Sequence, residues 1–294
     1  MQSFYTDYEG NLIMSANILT AISNIVNNRV IELGTHYVSR NRANNMGVAL
    51  ENYIMDIFAN TIQETDERTR LEKFSQVFSY QGNQNNPPDM IIRNGDAIEV
   101  KKIESKGASL PLNSSYPKAK LFANNSRISD ACRECENWQE KDIIYATGFV
   151  KNNILQSIFF VYGIDYAARA ETYERYVNAI STGVTSIQDV EFAETNELGR
   201  VNRVDPLGIT NLRIRGMWEI KNPVKVFDYI YTPTDAQFSM VSIINTEKFL
   251  SFPENDRLAM ESLIDDGLCI SDVRIMTPDN RSIFRDAKLI TFSI

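Results

Sequence analysis

The first third of the chain has apolar residues at helical spacing. They recur every three or four positions in SANILTAISNIVNNRVIEL (15–33), where Ser15 is a suitable N-cap, and again in NNMGVALENYIMDIFANTI (44–62). The segment ERTRLEKFSQVFS (67–79) continues this pattern. The sequence therefore predicts three helices before residue 80.

Beyond residue 80 the pattern becomes strand-rich. Strands are predicted in a hairpin at 89–105, in two strands joined by the turn Lys151-Asn152-Asn153 within 142–165, in ITNLRIRGMWEI (209–220), and in VRIMTP and KLITFSI near the C-terminus. Further helices are predicted at 126–141, 170–181 and 253–267. Helices followed by a mixed sheet with more helices indicate an α/β fold, a single domain with a central mixed β-sheet flanked by helices and with a helical N-terminal third.

Composition adds limits to this picture. The 294 residues are 43% hydrophobic and 23% charged, as in soluble globular proteins, and no linker rich in Pro, Gly or Ser divides them. The N-terminus lacks the features of a secretory signal, and no apolar run approaches the roughly 20 residues that span a bilayer. We therefore expect a cytoplasmic protein.

Few residues are available for thiol or histidine chemistry. The three cysteines, Cys132, Cys135 and Cys269, are expected to be reduced thiols. Cys132 and Cys135 resemble half a zinc site, but the only histidine, His36, does not complete it, so packing residues are the better interpretation. A catalytic triad would have to use His36, which has no obvious nucleophile near it in the sequence.

The stretch PPDMIIRNGDAIEVKKIES (87–105) carries three charges in an otherwise apolar hairpin. A two-residue loop at Asn94-Gly95 would place Asp89 opposite Val100, on the other face from Glu99 and Lys101.

A three-residue loop, 94–96, would instead pair Arg93 with Ala97 and Asp89 with Lys101. All three charged side chains then share one face, and we predict this loop or an equivalent bulge. Because the prolines at 87 and 88 cannot donate ladder hydrogen bonds, regular pairing should end near Asp89 and leave it at an open end of the hairpin. The other face, with Ile98 and Val100, should pack in the core.

This arrangement favours chemistry on a phosphate. Asp89, Glu99 and the Val100 carbonyl could hold one hard divalent cation such as Mg²⁺. Lys101 could orient or help to deprotonate an attacking water, or offset negative charge on a phosphate. Two carboxylates can also hydrolyse glycosides, but the lysine and the basic segment that follows favour phosphodiester hydrolysis.

Charge is unevenly distributed along the chain. The net charge is −8, yet residues 101–127 hold six basic residues and one acid, which leaves −13 for the rest of the chain. An acidic protein can present one basic groove to nucleic acid in this way, although a solvated lysine-rich loop would give the same count.

Pro88-Asp89 and Glu99-Val100-Lys101 resemble the PD-(D/E)xK signature of Mg²⁺-dependent nucleases. The resemblance implies a further carboxylate near the metal from an upstream helix, and Glu51 is the matching position. Longer segments resemble the NgoPII type of type II restriction endonucleases, namely IEVKKIES, LPLNSSYPKAKL (110–121), CRECENW and ELGRVNRVDPLGITNLRIRGMW (197–218).

The family resemblance implies a restriction-endonuclease-like domain over 1–294, in which 1–80 are mainly helical and 81–294 hold the catalytic sheet and the DNA-reading elements. It also implies Mg²⁺-dependent cleavage of double-stranded DNA by a homodimer at a short palindrome, GGCC for the NgoPII type. A cognate DNA methyltransferase is expected in the host.

Two segments are predicted to contact DNA. They supply these residues: Asn113, Ser114, Ser115, Lys118, Lys120, Arg200, Arg203, Arg213 and Arg215. The first five could bind phosphates or base edges, or form a surface loop, and the arginines could read guanine or bridge to acids such as Glu219.

Two rival functions stay open at this point. One is a nuclease of the same superfamily that acts in repair or recombination and reads DNA structure. The other is a non-catalytic DNA-binding protein whose hairpin charges are incidental.

Overall fold

The fold was analysed in a computed structural model. It describes residues 4–6, 12–14, 16–38, 43, 45–83 and 86–294. The strands are β1 (Phe4–Thr6), β2 (Leu12–Met14), β3 (Phe78–Asn83), β4 (Asn86–Ile92), β5 (Ala97–Ile103), β6 (Leu110–Asn113), β7 (Lys120–Phe122), β8 (Glu140–Lys151), β9 (Ile154–Tyr162), β10 (Gly199–Val201), β11 (Leu212–Ile214), β12 (Trp218–Ile220), β13 (Ser239–Asn245), β14 (Cys269–Thr277) and β15 (Asn280–Ser293).

The α-helices lie mostly before and between these strands. They are α1 (Ile18–Asn28), α2 (Met46–Ala59), α3 (Glu67–Val77), α4 (Asp130–Glu134), α5 (Gly163–Tyr166), α6 (Ala170–Thr185), α7 (Pro223–Val226), α8 (Thr246–Ser251) and α9 (Glu254–Glu261). A π-helical turn, Gly34–Val38, contains His36, and a 3₁₀-helix, Ser262–Asp266, follows α9.

The large sheet is mixed. Within the described residues its strands run in the order β14-β15-β13-β9-β8-β5-β4-β3, and β7 adds to β8. β5 is parallel to β8 and β13 is parallel to β9, whereas the other neighbours are antiparallel. The predicted fold class, an α/β fold with a central mixed sheet flanked by helices, is confirmed.

The sheet separates two hydrophobic cores. The first lies between the sheet and α1, α2 and α3, and it contains Ile98 and Val100 of β5. The second lies on the other face and contains Tyr145, Leu121 and Cys132. Strand β5 is therefore packed on both faces. Its residue Glu99 lies on the face of the second core, beside Tyr145.

Several predicted elements have different bounds. Helix α1 begins at Ile18 with Asn17 as its N-cap, and Ser15, the predicted cap, lies outside the described residues. The helix predicted at 126–141 is confined to α4, because residues 136–139 leave the helix before β8 begins at Glu140.

The strand predicted at 209–220 is two short strands, β11 and β12. They pair with different partners, β10 and β6, so the chain must turn between them. Within the described part of the chain, every helix is too short or too polar to traverse a lipid bilayer.

Candidate active site

The hairpin of β4 and β5 closes with a three-residue loop. Ile92 N–H donates to the Asp96 carbonyl at 2.9 Å, so the loop consists of residues 93–95. The predicted length is correct, but the predicted position, 94–96, is wrong by one residue.

The predicted pairings of Arg93 with Ala97 and of Asp89 with Lys101 are also wrong, by two residues in register. The reason lies in Arg93, whose N–H donates to the Val77 carbonyl at 2.8 Å. Its guanidinium bonds further carbonyls at the end of α3 and in β3. These long-range bonds hold Arg93 in the loop rather than in the ladder.

A shift of two residues preserves the face on which each side chain lies, because side chains alternate along a strand. Asp89, Glu99 and Lys101 therefore share one face, as predicted. The ladder between β4 and β5 ends at the pair Met90 and Ile98. Beyond it, the Asp89 carboxylate Oδ2 accepts the Val100 N–H at 2.6 Å, so the Asp89 side chain takes the backbone donor at the open end of the hairpin.

Glu99 and Lys101 form a close ion pair. Lys101 Nζ lies 2.6 Å from Glu99 Oε1, and the two side chains are only 20% and 12% exposed. The other oxygen, Glu99 Oε2, is buried and has no hydrogen-bond partner among the described residues. A buried carboxylate oxygen without a donor is costly, so this atom is the natural place for a bound cation.

The pKa values of the site reflect crowded charge. Burial, and then the negative charge of Glu99, raise the pKa of Asp89 to about 7. Burial disfavours the ammonium of Lys101, but the charges of Glu99 and Asp89 outweigh it and raise the pKa of Lys101. Without a cation, the site thus relies on Lys101 and a proton on Asp89 to balance its acids.

Glu51 approaches from α2, which packs on the opposite face of β5. Burial raises its pKa, and Lys101 and Glu99 lie within electrostatic range. No hydrogen bond or ion pair joins Glu51 to the β4–β5 hairpin among the described residues. The helix can come this close because a Cβ on Gly148 of β8 would lie 2.6 Å from Leu50, the residue before Glu51.

The donor set fits a hard divalent cation in part. Within the described residues, no three His, Cys, Asp or Glu side chains already form a metal cluster. The two carboxylates of Asp89 and Glu99, with Glu99 Oε2 unpaired, nevertheless supply the oxygen donors that Mg²⁺ prefers, and such sites retain several waters.

The predicted DNA-contact residues of the loop before β7 divide into two groups. Ser114 and Ser115 line a cavity of about 780 Å³ that opens beside Pro87, at the start of the catalytic hairpin. Lys120 is bound to Glu140 at 2.7 Å and lies near Asp142.

Lys118 is not a surface residue, since it is only 9% exposed. Asn113 ends β6, opposite Trp218 of β12, and has a left-handed backbone conformation (φ 53°).

Arg213 and Arg215 line the same cavity as Ser114. Both bind Glu197, Arg213 through Nη2 at 2.6 Å and Arg215 through Nε, so the alternative partner Glu219 is wrong. Because the two arginine side chains are half exposed, their guanidinium groups are not desolvated at a large cost in free energy. Arg213 lies in β11 and Arg215 follows its end, and the shared contact with Glu197 brings their guanidinium groups together.

Arg200 and Arg203 lie on the small β10–β11 hairpin and its extension. Arg200 is paired with Arg213 in the ladder and donates to Asn202 at 2.8 Å. Arg203 has a left-handed backbone conformation (φ 54°). Neither residue lines the cavity beside Pro87.

Three residues at this site were not singled out from the sequence. Arg127 lines two cavities, and its guanidinium donates to the Ser114 carbonyl. Glu197 holds both arginines, and Tyr145 lies beside Glu99 in the sheet. Arg127 belongs to the basic run and was within reach of sequence reasoning, whereas the other two depend on tertiary contacts.

Comparisons with known proteins identify the family of the chain. The NgoPII restriction endonuclease family model matches residues 16–276. A protein named Type II restriction enzyme NgoPII, from Neisseria gonorrhoeae, is 49% identical over 280 residues, which is 95% of this chain and 100% of that protein. No solved structure matches the chain. The chain therefore belongs to the NgoPII restriction endonuclease family, and its enzyme class is the type II restriction endonuclease that the sequence indicated.

Proposed function

We propose that this enzyme hydrolyses both strands of DNA at a short palindromic, G/C-rich site in a reaction that depends on Mg²⁺. The observation that carries the proposal is that Asp89, Glu99 and Lys101 lie together at the open end of one hairpin, where one oxygen of Glu99 has no hydrogen-bond partner among the described residues. Two acids and a lysine in this arrangement suit an attack of water on phosphorus.

The two acids are the proposed cation ligands. Asp89 Oδ2 is oriented by the Val100 N–H, and no residue in the described part of the chain donates to Glu99 Oε2. The Val100 carbonyl is the proposed third ligand, and Glu51 supports the cation or its waters from α2. A divalent cation supplies a Lewis acid that lowers the pKa of water and neutralises charge on the phosphate.

Lys101 is the proposed catalytic lysine. It is held 2.6 Å from Glu99, so its ammonium is fixed beside the acids before DNA binds. Because its pKa is raised, it stays an ammonium at neutral pH. Its role is then to orient the attacking water by hydrogen bonding and to stabilise the negative charge that grows on the phosphate oxygens.

The cavity beside the hairpin is the proposed DNA-binding cleft. Ser114, Ser115, Arg213 and Arg215 line it, which supports contact with DNA from both predicted segments. Asn113, Lys118 and Lys120 continue the first segment, and Arg200 and Arg203 continue the second. Arginine forks bind guanine O6 and N7, as a G/C-rich site such as GGCC would require.

A palindromic site implies a two-fold homodimer with one active site for each strand. A cognate methyltransferase would protect host DNA at the same site, and both enzymes would act in the cytoplasm, where that DNA lies.

Digestion of a long unmethylated DNA of known sequence tests the proposal. We expect discrete bands with Mg²⁺, none with EDTA, and none with Lys101→Ala, which should still bind the site because it lacks only the catalytic ammonium. The fragment ends give the recognition site. Cleavage by Lys101→Ala at the wild-type rate would falsify the assignment of this lysine, and a smear in place of bands would contradict sequence-specific cleavage.

A further inference from the structure

A second lysine, Lys118, lies in the loop before β7, and its main chain packs against the sheet near the pair Glu99 and Lys101. Its main chain is held by Tyr145, whose hydroxyl accepts the Lys118 N–H at 2.7 Å and donates to the Lys118 carbonyl at 3.3 Å. Tyr145 of β8 is the direct register partner of Glu99 of β5. Register partners in parallel strands project side chains to the same face, so Tyr145 lies on the catalytic face.

The approach of this segment to the sheet requires a glycine. A Cβ on Gly163, just after β9, would lie 2.4 Å from the Lys118 carbonyl oxygen and 2.7 Å from that of Ala119. Any other residue there would push the segment away from Tyr145. The position of the Lys118 main chain is therefore fixed by two contacts, the hydrogen bonds of the Tyr145 hydroxyl and the close packing against Gly163.

The ammonium of Lys118 lacks a counter-charge. The residue is 9% exposed, yet no described residue accepts a hydrogen bond from Nζ or lies within ion-pair distance of it. Lys118 Nζ is not among the sealed side-chain atoms of the described residues, so the ammonium of this mostly buried lysine opens into a cavity. A lysine that is mostly buried without an acid beside it is held at a cost in free energy. Burial lowers the pKa of Lys118, with Glu99, Arg127 and Lys101 as the charged groups in range.

Lys118 lines a cavity of about 820 Å³ together with Arg127. The cavity is also lined by three acids, Glu171, Glu174 and Asp279, but the charged groups that act on Lys118 are Glu99, Arg127 and Lys101. The charge nearest to Lys118 is thus mostly positive once Lys101 has neutralised Glu99. A site with this balance takes an anion.

From this geometry we infer that Lys118 is a further catalytic residue, whose ammonium binds a non-bridging oxygen of the scissile DNA phosphate, with Arg127 at the rim of the same subsite. The inference rests on the proposed nuclease function, because the phosphate is the anion that this function brings beside Glu99. In free enzyme the charge of Lys118 is a cost to stability, and it gains its counter-charge when DNA binds.

A buried lysine that is paired provides a matched control. Lys141 is 7% exposed, like Lys118, but its Nζ lies 2.7 Å from Glu136 and 2.9 Å from the Gly95 carbonyl. Methionine replaces either lysine with a chain of similar length and no charge. Wild type, Lys101→Ala, Lys118→Met and Lys141→Met are compared by single-turnover cleavage, by thermal unfolding without DNA, and by the salt dependence of DNA binding.

For Lys118→Met we expect a cleavage rate lower by about 100-fold, as for loss of one donor to a transition-state oxyanion. Its Tm should equal or exceed that of wild type, because an unpaired charge leaves the interior. The slope of log affinity against log salt should fall by about 0.9, the value of one phosphate contact. Lys141→Met should show the opposite pattern, a lower Tm with cleavage by the folded enzyme retained.

A Lys118→Met enzyme whose cleavage rate is within about threefold of the wild-type rate overturns the inference. The proposed nuclease function is tested separately by Lys101→Ala. Loss of activity together with a Tm as low as that of Lys141→Met also overturns it, since Lys118 would then be structural. If the wild-type enzyme does not cut DNA, the proposed function fails. The inference about Lys118 is then tested by DNA binding alone, and it is overturned if Lys118→Met leaves the slope of log affinity against log salt unchanged.

Discussion

Asp89 shows how one residue can be tuned by what surrounds it. Burial and the charge of Glu99 raise its pKa to about 7, whereas a carboxyl in an unfolded chain has a pKa of about 3.9. Between about pH 4 and pH 7, Asp89 is therefore protonated in the folded protein and ionised in the unfolded chain. The favourable contribution of the protonated carboxyl is fully present below about pH 4 and is lost as pH rises through about 7.

The raised pKa of Asp89 predicts that the metal-free enzyme loses stability as pH rises from about 4 to about 7. The loss should be larger than that of an Asp89→Asn variant over the same range. If Asp89 is a ligand of Mg²⁺, as proposed, the stabilisation by added Mg²⁺ should grow over the upper part of this range, because the cation would have to displace the proton from Asp89. Thermal unfolding in EDTA and in Mg²⁺ from about pH 5 to pH 8 measures both effects. Parallel curves for wild type and Asp89→Asn would show that Asp89 is not the titrating group.

At the scale of elements, the helix that carries Glu51 is anchored by a buried charge network. Arg70 of α3 is 2% exposed and bonds Asp56 of α2 at 2.8 Å and Asn52 at 2.7 Å. The Tyr37 hydroxyl also donates to Asp56, at 2.8 Å. Three elements, α2, α3 and the π-helical turn that contains Tyr37, thus meet at one carboxylate, which fixes α2 relative to α3.

Replacing Arg70 with methionine should lower the free energy of unfolding by about 3–5 kcal/mol, since it leaves Asp56 charged and buried without its cation. The matched control is Arg68→Met in the same helix, because Arg68 forms an exposed i,i+4 pair with Glu72. That change should stay within about 0.5 kcal/mol of wild type. Urea unfolding of the three proteins measures the difference, and equal losses for Arg68 and Arg70 would mean that burial of the network does not matter.

The hairpin also shows what sequence can and cannot provide. Asn94-Gly95 marked the turn but allowed a loop of two or three residues. Side-chain alternation favoured three, because only that loop puts Asp89, Glu99 and Lys101 on one face. The register was out of reach, because it depends on bonds from Arg93 to the distant segment 75–78. The burial of Lys118 was equally out of reach, because it depends on Tyr145 and Gly163, which are remote in sequence and carry no motif.

At the scale of the whole molecule, a chain of net charge −8 must attract DNA with a local field rather than a global one. Two of the cations in the proposed cleft, Arg213 and Arg215, are held by a single acid, Glu197. These hydrogen bonds, that of Arg213 first, lower the pKa of Glu197 to about 2, so it stays charged at any working pH. DNA phosphates must therefore compete with Glu197 for both arginines.

This competition predicts that Glu197→Gln binds non-cognate DNA about tenfold more tightly than wild type. Its salt dependence should also be steeper, by up to two phosphate contacts. Glu194→Gln is the control, because this exposed acid lies three residues away and its loss changes the net charge from −8 to −7 in the same way. A filter-binding or anisotropy titration at several salt concentrations compares the three proteins. If both variants gain equal affinity, only net charge matters, and a weaker Glu197→Gln would mean that Glu197 positions the arginines for DNA instead of competing for them.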